Sequence, residues 1–247
     1  MLSCLVMVKK VVIAAAGQGT RMLQLTNDKS KHLIKVNGKP FLAYVLDNLL
    51  KAGYEDIVLV VGYESKLVED FLKEYEYKAK VINQFDVLGP KEKIYGTACP
   101  LMCVKDISEP FLYICGDNFY SVEDLKAMNV EDDFSYVAGL KNDHPENFGV
   151  LIAEGEFLKK IVEKPKEFIG DLVNTSLYKF TPEIFKKVFQ IEKSPRGEYE
   201  ITDAVSLLAQ EKKVKVKTIK DFWMDFGRPE DIEKFSEFLK NADNKAR

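Results

Sequence analysis

Val8-Lys-Lys-Val-Val-Ile-Ala-Ala15 runs straight into Ala16-Gly17-Gln18-Gly19-Thr20-Arg21-Met22, and the fold follows from how this stretch is read. A β-branched, nearly continuous apolar run suits a central strand buried on both faces of a parallel sheet. The small residues after it let backbone amides approach an anionic group closely, which makes the turn a phosphate cradle. No Gly-Lys-Ser/Thr follows, so it is not a Walker A loop, and Met22 stands where a dinucleotide fingerprint needs its third glycine. A lone G-x-G is more often a plain tight turn. Here Arg21 can fork two phosphate oxygens directly after the turn, and Lys31, in a loop before the next apolar segment, adds a second cation. Two cations suit a triphosphate.

Working outward, Pro40 can open a helix in which Phe41, Tyr44, Val45, Leu49 and Ala52 recur at helical spacing, with Gly53 placed to cap its end. Asp56–Val61 is a second buried strand, Ser65 can cap a helix through Tyr75, and Ala79–Asn83 and Phe111–Cys115 are further strands. This alternation implies βαβ crossovers and a doubly wound, mostly parallel sheet flanked by helices. After about residue 130 the links shorten. Phe134–Leu140, Phe148–Ala153, Leu158–Glu163 and Leu172–Phe180 read as antiparallel strands inserted on the same sheet, with helices expected at Pro182–Phe189, Ile201–Gln210 and Pro229–Leu239 and a frayed end from Lys240. Without an internal repeat or linker, one domain over residues 7–240 is expected, with lobes at about 7–130 and 131–240.

Composition narrows the function. With 36 basic and 39 acidic residues mixed along 247, the chain offers no continuous cationic face for nucleic acid. Cys4, Cys99, Cys103 and Cys115 lack the pairing of a zinc site and read as free thiols in a reducing, cytoplasmic compartment. The opening residues to Met7 have no long apolar core or cleavage site, Met7 itself could be the start, and no stretch is long enough to span a membrane.

Among titratable residues, Asp117 follows a strand and a glycine, at the carboxyl end where open α/β sheets bind ligands, although Asp after Gly is also a common turn former. Asp225, in Trp-Met-Asp-Phe-Gly, could equally be a helix cap. Gln84 reads as a loop residue, and Glu163-Lys164 as a surface charge pair in a chain that is 30% charged. His32 and His144 receive no catalytic role; Tyr178 and Trp223 read as core, and Glu198–Asp203 as a capped helix start.

AAGQGTRMLQLT (residues 15–26) followed by SKHLIKVNGKP (residues 30–40) resembles the signature of the nucleoside-diphosphate-sugar pyrophosphorylases. Gln84, Gly96-Thr97-Ala98, Gly116-Asp117-Asn118, Phe148-Gly149-Val150, Glu163-Lys164-Pro165, Val173-Asn174 with Tyr178, Glu198–Asp203 and Trp223–Gly227 agree with it in order and approximate spacing. Gln24 and Ser30 depart from it, each standing where the family usually has proline; a more mobile loop with activity retained is the expectation.

The resemblance implies the nucleotide-diphospho-sugar transferase fold, with a nucleotide-binding lobe followed by a sugar-phosphate-binding lobe. It implies Mg²⁺ on Asp117 and Asp225, with Arg21, Lys31 and Asp117 catalytic. Ala15, Ala16, Gly17, Gln18, Gly19, Thr20, Gln84, Gly96 and Thr97 are expected on the nucleotide, with Gly96 letting the base approach the backbone. Gly149, Glu163, Lys164 and Asn174 are expected on the sugar phosphate. The expected reaction joins a nucleoside triphosphate, UTP or dTTP, to a sugar 1-phosphate, glucose 1-phosphate foremost. Alternatives are a transferase of the same fold using CTP, GTP or another phosphorylated acceptor, and a non-catalytic nucleotide sensor. Some relatives carry a hexapeptide β-helix that this chain is too short to hold, so a monomer, or an oligomer through the α/β domain, is expected.

Overall fold

Val11, Ile13 and Ala15 point to one face of the central strand β1 (Lys10–Ala15) and Val12 to the other, and both faces are covered. The computed structural model describes residues 7–17, 22, 30–62 and 65–245. A short hairpin, β2 (Lys35–Val36) and β3 (Lys39–Pro40), leads into helix α1 (Phe41–Lys51). Gly53, at φ 94°, ends that helix as the sequence predicts: its N–H reaches Leu50 O at 3.0 Å and that of Tyr54 reaches Leu49 O at 3.0 Å. There follow β4 (Asp56–Val61), α2 (Ser65–Glu74), β5 (Lys80–Asn83), α3 (Gln84–Leu88), α4 (Cys99–Met102) and β6 (Phe111–Cys115).

Next come β7 (Asn118–Tyr120), α5 (Val122–Ala127), β8 (Ser135–Lys141), β9 (Gly149–Glu154), β10 (Phe157–Glu163) and β11 (Leu172–Phe180). Then α6 (Ile184–Val188), α7 (Ile201–Gln210), β12 (Val214–Thr218), β13 (Trp223–Asp225) and α8 (Glu230–Lys245) complete the described chain.

Among the described residues, nine strands form one sheet in the order β5-β4-β1-β6-β11-β8-β12-β10-β9. The β5-β4-β1-β6 half is parallel throughout, which requires the helical crossovers that the sequence rhythm implies. From β6 onward the pairings are antiparallel, except that β12 runs parallel to β8. This is the mixed sheet of the expected fold. On one face Val11 and Ile13 pack with Phe41 and Leu46 of α1; on the other Val12 packs with Leu101, Phe180 and Val205. Each such side chain, fully buried, contributes about 1.5–3 kcal/mol.

Three expectations need correction. Helix α8 does not fray from Lys240 but continues to Lys245; Glu230, Asp231 and Glu233 in its first turn suit the helix dipole, and no Gly or Pro interrupts it. Gln84 is not in a loop: it opens α3, whose N-cap Asn83 accepts the Phe85 N–H at 2.9 Å. Strand β12 and the two-stranded ladder β7–β13 are absent from the sequence reading. The ladder sets Asp225 opposite Asn118, across more than a hundred residues of chain.

Candidate active site

The strands β1 and β6 end side by side, and the chain after each makes the wall of a cavity of about 150 Å³. Ala16 and Gly17 line it; Ala15 instead packs beneath Gly116, where an added Cβ would lie 3.1 Å from it. Gln18, Gly19, Thr20 and Arg21 lie outside the described residues, as does Gln24. Lys31, on a short 3-10 turn (Lys31–Leu33), faces Gly17 and forms an ion pair with Asp117. Burial disfavours the Lys31 ammonium, but Asp117 and then Asp225 outweigh it and hold its pKa above the ordinary lysine value.

His32 is not a loop bystander. It is buried against Gly116, and burial with the neighbouring Lys31 charge pushes its pKa down to about 3. The imidazole is therefore neutral near pH 7 and supplies a wall, not a proton. Ser30, which takes the place of a family proline, is also buried, with its hydroxyl 2.9 Å from His32 Nδ1. The lost ring is replaced by a hydrogen bond.

In the wall of the same cavity Gln84 is 1% exposed, and its buried Oε1 has no hydrogen-bond partner among the described residues. An orphan acceptor costs about 1–3 kcal/mol, so its presence in a cavity wall points to a ligand donor. Gly96 also lines this cavity, and its bareness meets a further demand. At φ 143° its missing Cβ would lie 2.2 Å from Tyr199 O, so the glycine admits the strap at 194–200.

Asp117 and Asp225 are brought together by the ladder β7–β13, and the Phe226 N–H closes it on Asp117 O at 2.7 Å. Burial works against the Asp117 carboxylate, and Lys31 overrides it, leaving its pKa below the ordinary value. Among the described residues no group of three or more His, Cys, Asp or Glu could hold a metal. Two carboxylates acting on the same Lys31 ammonium beside open cavities fit Mg²⁺, which takes one or two carboxylates and completes its shell with other oxygen ligands.

A second cavity of about 240 Å³ shares Thr97, Cys115 and Asp117 with the first. Gly149, Glu163, Asn174 and Asp225 line it. A Cβ on Gly149 would lie 3.0 Å from Glu163 Oε2, so the glycine makes room for that carboxylate. Burial raises the Glu163 pKa, opposed by Arg196 and Lys164. Asn174 donates to Tyr178 Oη at 2.6 Å and accepts the Ser176 N–H at 3.0 Å. Lys164 is not in the wall; it is exposed, at φ 44°, with its N–H on Phe148 O at 2.9 Å.

Several residues of this wall escape a reading of the sequence. Glu198–Asp203 does contain a helix start, that of α7, but the cap comes from elsewhere: Thr97 Oγ1 accepts the Ile201 N–H at 2.9 Å, while the Glu200 side chain makes no cap and instead accepts from Arg196 Nη2 at 2.7 Å, Ser194 Oγ at 3.1 Å and Thr97 Oγ1 at 3.1 Å. Arg196 thereby enters the second cavity. Trp223 is not simply core but half-buried in the same wall, bonded to Asn118. Glu200 and Trp223 stand inside segments that the resemblance covers, whereas the only signal for Arg196 was its nearness to one of them. Cys99, Cys103 and Cys115 are free thiols, each held by burial at a pKa of about 12. No helix among the described residues is long and apolar enough to cross a membrane.

The chain is similar to known proteins over most of its length. The family model described as nucleotidyl transferase matches residues 10–242. The UTP–glucose-1-phosphate uridylyltransferase of Haloferax volcanii is 34% identical over 96% of this chain and 99% of its own length. A bifunctional sugar-1-phosphate nucleotidylyltransferase/acetyltransferase of Sulfurisphaera tokodaii is 32% identical over 90% of this chain, which spans only 53% of that protein. Among solved structures, a glucose-1-phosphate thymidylyltransferase described as putative, from Bacillus anthracis, superposes with a TM-score of 0.78 at 25% identity, covering 93% of this chain and 94% of its own. The chain belongs to the nucleotidyl transferase family, within the sugar-1-phosphate nucleotidylyltransferases that its glycine turn and later motifs resemble.

Proposed function

We propose that this chain transfers a nucleotidyl group from UTP or dTTP to a sugar 1-phosphate, glucose 1-phosphate foremost, releasing pyrophosphate with Mg²⁺ as cofactor in the cytoplasm. The observation that carries the reading is that two cavities share Asp117 in their walls. A nucleotide in the first and a sugar phosphate in the second would meet at that carboxylate. Gln84 Oε1, without a partner among the described residues, supports a pyrimidine base, because it can accept from the imide N–H of uracil or thymine.

An oxygen of the sugar phosphate, already ionised at neutral pH, attacks the α-phosphorus in line. The bond to the bridging oxygen breaks and pyrophosphate leaves on the opposite side. Mg²⁺ held by Asp117 and Asp225 would supply charge neutralisation at the α-phosphate. The glycine-turn amides and Arg21 are assigned to the departing β- and γ-phosphates, and Lys31, which faces Gly17, to the charge that moves during transfer. Glu163 accepts from sugar hydroxyls, Gly149 and Asn174 border the ring, and Arg196, in the wall of the second cavity, balances the acceptor phosphate. No general base is required, and His32, held neutral, offers no proton.

The test is pyrophosphate release with Mg²⁺, glucose 1-phosphate and each nucleoside triphosphate in turn, with Asp117→Ala alongside. Release with UTP or dTTP is expected, falling about 10³-fold or more in the variant, the equivalent of about 4 kcal/mol. Preference for CTP or GTP would move the base assignment. Silence across all triphosphates and several sugar phosphates, with nucleotide still bound, would replace catalysis by sensing.

A further inference from the structure

Asn118 sits beside Asp117 with its side chain buried, and a buried carboxamide needs both its ends satisfied. The indole of Trp223 is a donor only, and it points at Asn118 Oδ1. That contact settles which end of the amide is which. With its oxygen turned to Trp223, the amide must turn its NH₂ the other way, where Nδ2 donates to Asp117 Oδ1 at 2.9 Å. The second oxygen of Asp117 is taken by Lys31. Two donors, one on each oxygen, fix the plane of the carboxylate.

The indole is itself held. The Phe148 ring meets it edge to face, with centroids 5.3 Å apart at 67°. The ladder that carries Trp223 does not depend on the indole: Trp223 pairs with Tyr120 and Asp225 with Asn118 through the backbone. The side-chain contact therefore adds orientation to strands already joined.

We propose that Trp223 is a positioning residue, acting through the Asn118 amide to set the Asp117 carboxylate in the orientation that receives a divalent cation. The idea rests on the reading of Asp117 as a metal ligand, and it makes no contact with substrate necessary. Removing the indole N–H frees the Asn118 amide to flip and set its oxygen against Asp117. Partners that orient a metal ligand in this way typically change metal affinity ten- to a hundredfold when lost.

The test is a double-mutant cycle on Mn²⁺ affinity, read as free Mn²⁺ by electron paramagnetic resonance with no nucleotide present. Trp223→Phe keeps a ring against Phe148 and is expected to bind Mn²⁺ about tenfold more weakly. Asn118→Ala should weaken it at least as much, and the double variant should be no worse than Asn118→Ala alone. Unchanged affinity in Trp223→Phe, or losses that multiply, overturn the proposal. Trp223 is the only tryptophan in the chain, so its emission gives a second readout. The wild-type spectrum should shift in Asn118→Ala, and an identical spectrum overturns the contact. Because Mn²⁺ uptake needs no turnover, wild-type protein that binds the ion yet releases no pyrophosphate would sink the catalytic reading while the cycle still decides this one. Wild-type protein that takes up no Mn²⁺ overturns the metal site and the positioning role together.

Discussion

In the cavity beside Gly17 one buried acceptor waits for a ligand, whereas in the cavity beside Glu163 the polar side chains are bound to one another. Gln84 Oε1 in the first is buried without a partner among the described residues, although Lys31 and Asp117 beside it are paired. In the second, Asn174 is tied to Tyr178, Arg196 to Glu200 and Asn118 to Trp223. The topology accounts for the contrast. The first cavity stands at the ends of parallel strands, where the chain leaves the ladder and polar groups lose their sheet partners. The second is walled by antiparallel strands and a strap, whose side chains meet across the sheet and satisfy each other. One surface keeps a destabilised acceptor for its ligand; the other is preorganised before anything arrives.

After the loss of Asp117, which serves both cavities, the largest effect should come from cutting the strap that joins them. Gly96→Ala would place a Cβ 2.2 Å from Tyr199 O and 2.4 Å from Tyr199 N. Both atoms are backbone and are committed: Ala98 N–H donates to Tyr199 O at 2.9 Å, and Tyr199 N–H donates to Tyr95 O at 2.9 Å. The strap must move, at a cost of about 3 kcal/mol, seen as a melting temperature lower by roughly 10 °C. Thr97 should then lose its hold on Glu200, and the KM for the sugar phosphate should rise more than that for the nucleotide. An unchanged melting temperature would mean that the two cavities are not joined in this way.

The same contrast explains what the sequence could tell. β1 and β6 were legible because each is a local pattern, an apolar run followed by small residues, and needs no distant partner to be recognised. The antiparallel strands β8 to β11 were legible as strands, yet the alternation of Val214, Val216 and Thr218 was passed over, because interleaved lysines conceal a half-buried strand that lies inside the sheet, between β8 and β10. Trp223 was taken for core because a large aromatic usually is. Only the register Asp225↔Asn118 turns the indole toward an amide, and register between segments this far apart has no local signature. Lys31 and Asp117 were each singled out; that they touch was not foreseeable from spacing.

Gln84→Met sharpens the comparison at the waiting surface. The substitution keeps length and apolar volume but removes the orphan acceptor, so the free protein should gain about 1 kcal/mol against urea unfolding. The KM for the triphosphate should rise about tenfold, the equivalent of about 1.4 kcal/mol, while that for the sugar phosphate holds. A gain in stability with a loss of affinity is the signature of a group kept for its ligand. If stability fell and the KM held, Gln84 would be a structural residue and the first cavity no different in kind from the second.

The smallest effects should appear in the pH dependence of folding, where the two surfaces pull in opposite directions. His32 titrates near 6.5 when exposed and at about 3 in the fold. The unfolded chain therefore takes up a proton below about pH 6.5 that the folded protein refuses, and stability falls with pH, by about 1 kcal/mol between pH 7 and pH 5.5. Glu163 has the reverse sign. Burial holds its pKa above 4.5, so the unfolded chain ionises first and stability declines as pH rises through and beyond that value. Urea midpoints from pH 4.5 to 7.5 should rise less steeply with pH in His32→Gln than in the wild type, and more steeply in Glu163→Gln. Glu163 is partly exposed, so its change should be the lesser of the two. Slopes that change in the same direction in both variants would mean that burial does not set the two groups apart, and the contrast between the cavities would then rest on hydrogen bonding alone.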